Sequence, residues 1–190
     1  MRTKAIIIKK QPTNEYDELV TCYTEEFGKL TAVAKSILKG SSMQAMHLDN
    51  LNLVDFELIN GKSMPIIAAA QTERSFRNIK SHLPLLAASQ FFTDVIDKMV
   101  FDLQRDDSLW EFMLDVLEKL DSRVRPETAL TFFRQQQFYM LGILGYGTEV
   151  ASAVSVANPH YRGRSETDHT FEYALGSRLK SLDFIYSVLK

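Results

Sequence analysis

The sequence is poor in the residues that usually advertise chemistry. One cysteine, Cys22, stands alone, which excludes an internal disulfide and leaves no thiolate set for a structural zinc. The four histidines, His47, His82, His160 and His169, are scattered without metal-ligand spacing, and no Gly-rich phosphate loop of the Walker type is present. Acidic pairs at Glu25-Glu26 and Asp106-Asp107 read as a turn and a helix start, where negative charge suits the helix dipole. Long apolar runs are missing too. A bilayer span takes about 20 consecutive apolar residues, and here charges interrupt every candidate well before that. Near the start only Ala5 to Ile8 are apolar before Lys9 and Lys10, so no signal-peptide core is expected. A cytoplasmic protein that binds no metal and no cofactor is the expectation, and the residues offer no catalytic constellation. Nor does one sign of charge dominate. Twenty-two Lys and Arg face 24 Asp and Glu, and the first 80 residues carry 11 cations against 9 acids while the rest carry 11 against 15. That asymmetry is too small to identify a nucleic-acid binder by itself.

What the sequence does contain is apolar mass in two different rhythms. The β-branched run Ala5-Ile6-Ile7-Ile8, stopped by Gln11-Pro12-Thr13-Asn14, predicts a first strand. Leu19 to Thr24 predicts a second. Phe27-Gly28-Lys29 is read as a turn, with Gly28 supplying a positive φ, into a third strand over Leu30 to Lys35. After Lys39-Gly40-Ser41-Ser42, the segment Leu51 to Ile59 alternates apolar and polar residues with a period of two. Asn60-Gly61 predicts a hairpin into a fifth strand over Met64 to Ala70. Five short strands within about 70 residues suggest a Greek-key OB-like barrel.

The rhythm changes near Glu73. From Leu85 on, Leu86, Phe92, Val95, Ile96, Met99, Val100 and Leu103 recur at helical spacing, and Asp106-Asp107-Ser108 offers an N-cap for a helix over about Leu109 to Leu120. Arg125-Pro126-Glu127 opens another helix that runs to Leu144, with Gly145-Tyr146-Gly147 ending it. Ala151 to Ser165 reads as a loop before one or two helices between His169 and Lys190. The expected fold class is α+β: an N-terminal five-stranded OB-like β-barrel at 1–75, followed by an all-helical domain at 76–190.

One stretch is more specific than the rest. Leu19-Val20-Thr21-Cys22-Tyr23-Thr24-Glu25-Glu26-Phe27-Gly28-Lys29-Leu30-Thr31-Ala32-Val33-Ala34-Lys35 resembles the N-terminal signature of the RecO family, and Phe138 to Gly147 is similar to that family's helix ending in Leu-Gly-Tyr. Family members often carry a proline after that step and paired cysteines that bind zinc. Here Thr148 follows and the cysteines are missing, so the zinc module is expected to be absent. The resemblance implies a non-enzymatic mediator of recombinational DNA repair in the bacterial cytoplasm, associated with the nucleoid. Such a protein binds single- and double-stranded DNA, anneals complementary strands and, with RecR, loads RecA onto DNA coated by single-strand-binding protein. A protein-interaction scaffold that keeps the OB-like barrel and has lost DNA binding is the alternative.

Annealing without sequence readout needs a cationic track for phosphates and a groove for partners. Lys9, Lys10, Lys29, Lys35, Lys39 and Lys62 are candidates for a strip along the barrel, with Arg74 and Arg77, and Lys80 on the same helical face, extending it. Lys29 and Lys35, six apart, are expected on one strand face. Each of these residues also serves simply to solvate the surface. Tyr16 and Tyr23 could stack bases or pack the core. Phe132, Phe133, Phe138 and Arg134 could form a groove for an acidic peptide ending in an aromatic residue, such as the tail of single-strand-binding protein. Packing between helices accounts for the phenylalanines equally well.

Overall fold

A computed structural model describes residues 1–40, 42–146 and 164–188. Thr148, His160 and most of the loop expected at Ala151 to Ser165, with Gly147, lie outside the described residues. Five strands, β1 (Arg2–Pro12), β2 (Glu18–Thr24), β3 (Gly28–Ala34), β4 (Leu53–Ile59) and β5 (Ile66–Arg74), close into a barrel in the order β1-β2-β3-β5-β4. All neighbours are antiparallel except β3 and β5, which meet in parallel at Val33 and Ile66. This is the OB-like barrel that the strand pattern predicts.

Alternation explains which side chains fill it. Along β3, Gly28, Leu30, Ala32 and Ala34 are buried while Lys29, Thr31 and Val33 are only partly so, as a strand with one face on a core requires. Ala5, Ile7, Val20, Cys22, Leu30, Val54, Phe56, Leu58 and Ile67 form the barrel core. Register shifts between Ile7 and Lys9 in β1, and twice between β4 and β5, bend the strands as closure demands.

Two expected features of the barrel change. Asn60-Gly61 does not make a two-residue hairpin, because β5 begins at Ile66 rather than Met64 and a six-residue loop, 60–65, joins the strands. Gly61 is still needed there, since a Cβ would overlap the Met64 carbonyl oxygen. The turn placed at Phe27-Gly28-Lys29 falls instead on residues 25–27, with Gly28 opening β3 at φ +69°.

The chain divides into two compact units, one of Met1–Phe76 with Val100–Trp110 and one of Arg77–Met99 with Glu111–Lys190. The helical elements are α1 (Arg77–Ser81), α2 (Leu83–Met99), α3 (Asp107–Ser122), a 3-10 turn at Pro126–Thr128, α4 (Ala129–Ile143), α5 (Glu166–Leu175) and α6 (Lys180–Val188). Val100 and Leu103, read above as helical, lie beyond the end of α2. The segment they occupy returns to the barrel unit, where Leu103 N–H donates to the Lys29 carbonyl at 2.8 Å. Asp106 then caps α3, its Oδ1 accepting from Leu109 N–H at 3.0 Å.

The helical unit is built around phenylalanine. Phe91 meets Phe92, Phe133 and Phe171 edge to face, with centroids 5.4, 5.0 and 5.1 Å apart, the arrangement that aromatic quadrupoles favour. Gly145 ends α4 in the left-handed conformation at φ +83°, with Tyr146 N–H donating to the Leu141 carbonyl. Among the described residues, by contrast, nothing lies within 4 Å of where a Cβ on Gly142 would stand. A capping box opens α5: Ser165 Oγ accepts from Asp168 N–H, and Asp168 Oδ2 accepts from Ser165 N–H. Asp168 is fully buried and also accepts from Gln137 Nε2 at 2.7 Å and from the Tyr186 hydroxyl at 2.5 Å. Burial, the Asp168 charge and this hydrogen bond together push the Tyr186 phenol up.

Candidate nucleic-acid interface

The cations singled out in the sequence are dispersed by the fold, and the structure brings only some of them together. The β1–β2 turn and the start of the β3–β4 loop are tied into one end of the barrel. Asn14 Oδ1 accepts from the backbone N–H groups of Tyr16 and Asp17, at 3.0 and 2.8 Å, the Asx-turn behaviour expected of asparagine. Asp17 Oδ1 accepts from Ser36 N–H at 2.6 Å, and Leu38 N–H donates to the Tyr16 carbonyl at 3.0 Å. The Asn14 amide, then the Ser36 N–H, hold the Asp17 carboxyl below its ordinary value, with Lys35 and Lys39 adding to the effect. On this scaffold the Lys39 ammonium lies 5.1 Å from the centroid of the Tyr16 ring, within cation–π range. Tyr16, Lys35, Leu38 and Lys39 are all exposed here, as are Met43 and Met46 farther along the same loop.

The remaining candidates stand elsewhere. Lys29 and Lys35 stand at opposite ends of β3. The Lys29 side chain is only 12% exposed and pairs with Asp102 at 3.3 Å. Lys9 and Lys10 follow the bulge in β1, half-buried, with Lys10 Nζ 3.9 Å from Asp49. Lys62 is exposed in the β4–β5 loop, and Arg74 ends β5 opposite Leu53. Arg77 begins α1 and belongs to the helical unit. Arg2 and Lys4 on β1 are taken up by Asp55 and Glu73.

The aromatic candidates separate in the same way. Tyr23 is fully buried; its hydroxyl donates to the Asp106 carbonyl at 3.3 Å and its ring lies 6.3 Å from Trp110. That leaves Tyr16 as the exposed tyrosine of the pair. Phe133 is also fully buried, locked between Phe91 and Phe92, and offers nothing to a groove. Phe132, Arg134 and Phe138 are half-buried; Arg134 acts on the Tyr186 hydroxyl.

Sequence reasoning set His47 aside as one scattered histidine, yet its Nδ1 accepts from Thr72 N–H at 3.2 Å and clips the β3–β4 loop onto β5. Gln44 Nε2 makes a second clip to the Ala68 carbonyl at 3.0 Å. Only the polar loop composition hinted at these contacts. Among the described residues no group of three His, Cys, Asp or Glu is placed to hold a metal ion, and no described helix is long and apolar enough to cross a membrane.

Residues 1–76, the span that folds into the five strands, match the family described as Recombination protein O N terminal. A DNA repair protein RecO of Dehalococcoides mccartyi strain BAV1 is 30% identical over 149 residues, covering 78% of this chain and 58% of that protein. The chain belongs to the RecO family.

Other RecO proteins align over similar stretches. One from Dehalococcoides mccartyi strain 195 is 26% identical across 88% of this chain and 64% of its own length. Another, from Synechocystis, is 27% identical across 76% and 53%. The chain thus spans a little more than half the length of the curated RecO relatives it matches. The signature from Leu19 to Lys35 maps onto β2, the residue 25–27 turn and β3, so most of it serves the RecO barrel. Gly28 opens β3 in the left-handed conformation, Lys29 pairs with Asp102, and the apolar residues fill the core.

Proposed function

We propose that this RecO chain is a non-enzymatic DNA-binding mediator that holds single and double strands without reading their sequence, promotes annealing and, together with RecR, assists RecA loading onto DNA coated by single-strand-binding protein. The observation that carries the reading is the coincidence of the RecO match at 1–76 with a closed OB-like barrel, an architecture whose strands and loops suit oligonucleotides. The barrel end bearing Tyr16, Lys35 and Lys39 supplies what sequence-independent binding needs, an exposed ring for stacking and cations for phosphate. A role within the cytoplasm follows from the same reading.

A second reading, a protein-interaction scaffold that has lost DNA binding, draws on the pairing of Arg2, Lys4, Lys10 and Lys29 with carboxylates, which leaves the barrel with few uncommitted cations. Fluorescence anisotropy of a labelled single-stranded oligonucleotide across a salt series separates the two. DNA binding predicts affinity that falls steeply with salt. Replacing Lys35 and Lys39 by Ala is expected to reduce the slope of log affinity against log salt by about 0.7 per lost contact on single strands. No binding by the unaltered protein at low salt would sink the mediator reading and favour the scaffold.

A further inference from the structure

The helical unit joins two chain segments that carry exposed arginines, Arg77 on one and Arg123 and Arg125 on the other. Asn78 Nδ2 donates to the Asp121 carbonyl at 2.9 Å across 43 positions of chain, and Ile79 N–H donates to Asp121 Oδ1 at 3.1 Å. These bonds fix α1 against the last turn of α3. Arg77 immediately precedes Asn78, while Arg123 and Arg125 follow Asp121 in the connection to the 3-10 turn. That connection is itself held, because Arg123 and Val124 N–H both donate to the Lys119 carbonyl, at 2.8 and 2.9 Å.

The charges at this corner are uneven. Arg77, Arg123 and Arg125 are exposed, and among the described residues none of the three forms an ion pair. Lys119 is taken up by Asp115 at 2.6 Å. The Asp121 carboxylate is turned to the α1 backbone. One basic residue past a helix C-terminus is explained by the helix dipole. Three exposed guanidiniums on two joined chain segments, none of them in an ion pair among the described residues, exceed that need.

We propose that Arg77, Arg123 and Arg125 form a binding surface for the phosphodiester backbone of nucleic acid on the helical unit, additional to the Tyr16–Lys39 end of the barrel. The inference rests on the reading that the chain binds DNA, and it assigns part of that binding to residues outside the barrel. Guanidinium stays charged at any accessible pH and grips phosphate oxygens two at a time. No base is read, so the surface contributes affinity and salt dependence rather than sequence preference.

The test uses the full chain and a labelled oligothymidylate in a salt series. Replacing Arg77, Arg123 and Arg125 together by Ala should lower the salt slope by about 2 and weaken binding at least tenfold at low salt, following the slope per phosphate contact for single strands. The thermal midpoint should stay unchanged, because these side chains make no ion pair to lose. Triple replacement by Lys should keep the slope. If the triple Ala variant does not fold, the three single variants carry the test, each with a slope change of about 0.7. Wild-type binding with an unaltered slope in the Ala variants overturns the proposal and leaves the DNA reading intact. Failure of the unaltered protein to bind overturns both. Loss of affinity for a labelled polyglutamate with DNA binding untouched also overturns it, because the surface would then take an acidic peptide.

Discussion

Replacing Gly28 by Ala probes how the barrel unit holds its distant segment. Gly28 sits at φ +69°, and a Cβ there would overlap the Gln104 carbonyl oxygen and crowd the Arg105 nitrogen at 3.1 Å. A non-glycine residue in the left-handed region costs about 1–2 kcal/mol. Moving the 102–104 backbone away also removes the hydrogen bond from Leu103 N–H to the Lys29 carbonyl, worth about 1 kcal/mol. The expected destabilisation is about 2–3 kcal/mol, or roughly 5–10 °C in thermal midpoint for a chain of this size. Trp110, the single tryptophan, lies in the same segment, nearly buried and against Tyr23, so its fluorescence reports the displacement as a red shift. Gly142→Ala is the matched control: among the described residues nothing lies within 4 Å of the added methyl, and alanine in a helix gains up to about 1 kcal/mol over glycine. If Gly28→Ala melts with the wild-type midpoint and an unshifted Trp110 emission, the argument for this close approach is wrong.

Two further outcomes follow from packing and charge. Phe133→Ala empties the centre of the phenylalanine cluster and should cost about 3–5 kcal/mol, read by chemical denaturation, whereas Phe132→Ala at a half-buried position should cost clearly less; equal losses would contradict the placement of the two rings. The Asp17 carboxyl, held low by Asn14 and Ser36, contributes stability that is present above its unfolded value near pH 4 and lost as pH falls through its lower folded value. The Ser36 amide resonance should therefore titrate with a midpoint below about 4, and a midpoint above that would show the contact is not made to the ionised form.

The strands were legible because each carries its own signal: the β-branched run at Ala5–Ile8, the alternation from Leu51 to Ile59, and the glycine at position 28. The arrival of Leu103 on the barrel was not. Its spacing from Met99 suits a helix, and its departure is decided by contacts with Lys29, more than 70 positions away in sequence. Lys29 itself matched the family signature yet pairs with Asp102, a partner that no local pattern reveals. Phe132 and Phe133 look alike in sequence, and only the approach of α2 makes one of them core. Arg123 and Arg125 escaped notice for the same reason, since their neighbourhood with Arg77 is created by Asn78 reaching Asp121.

The return of Val100–Trp110 to the barrel unit bears on how the chain matures. During synthesis the five strands leave the ribosome first, but the β3 backbone at Lys29 waits for residue 103 before its carbonyl finds a partner. All of α2 must be made in the interval. A nascent barrel therefore exposes part of one strand edge while synthesis continues, and exposed edges recruit other strands. Cleavage after residue 76 would make that exposure permanent, so proteolytic trimming to the family-matched span should yield a more aggregation-prone protein than the longer chain.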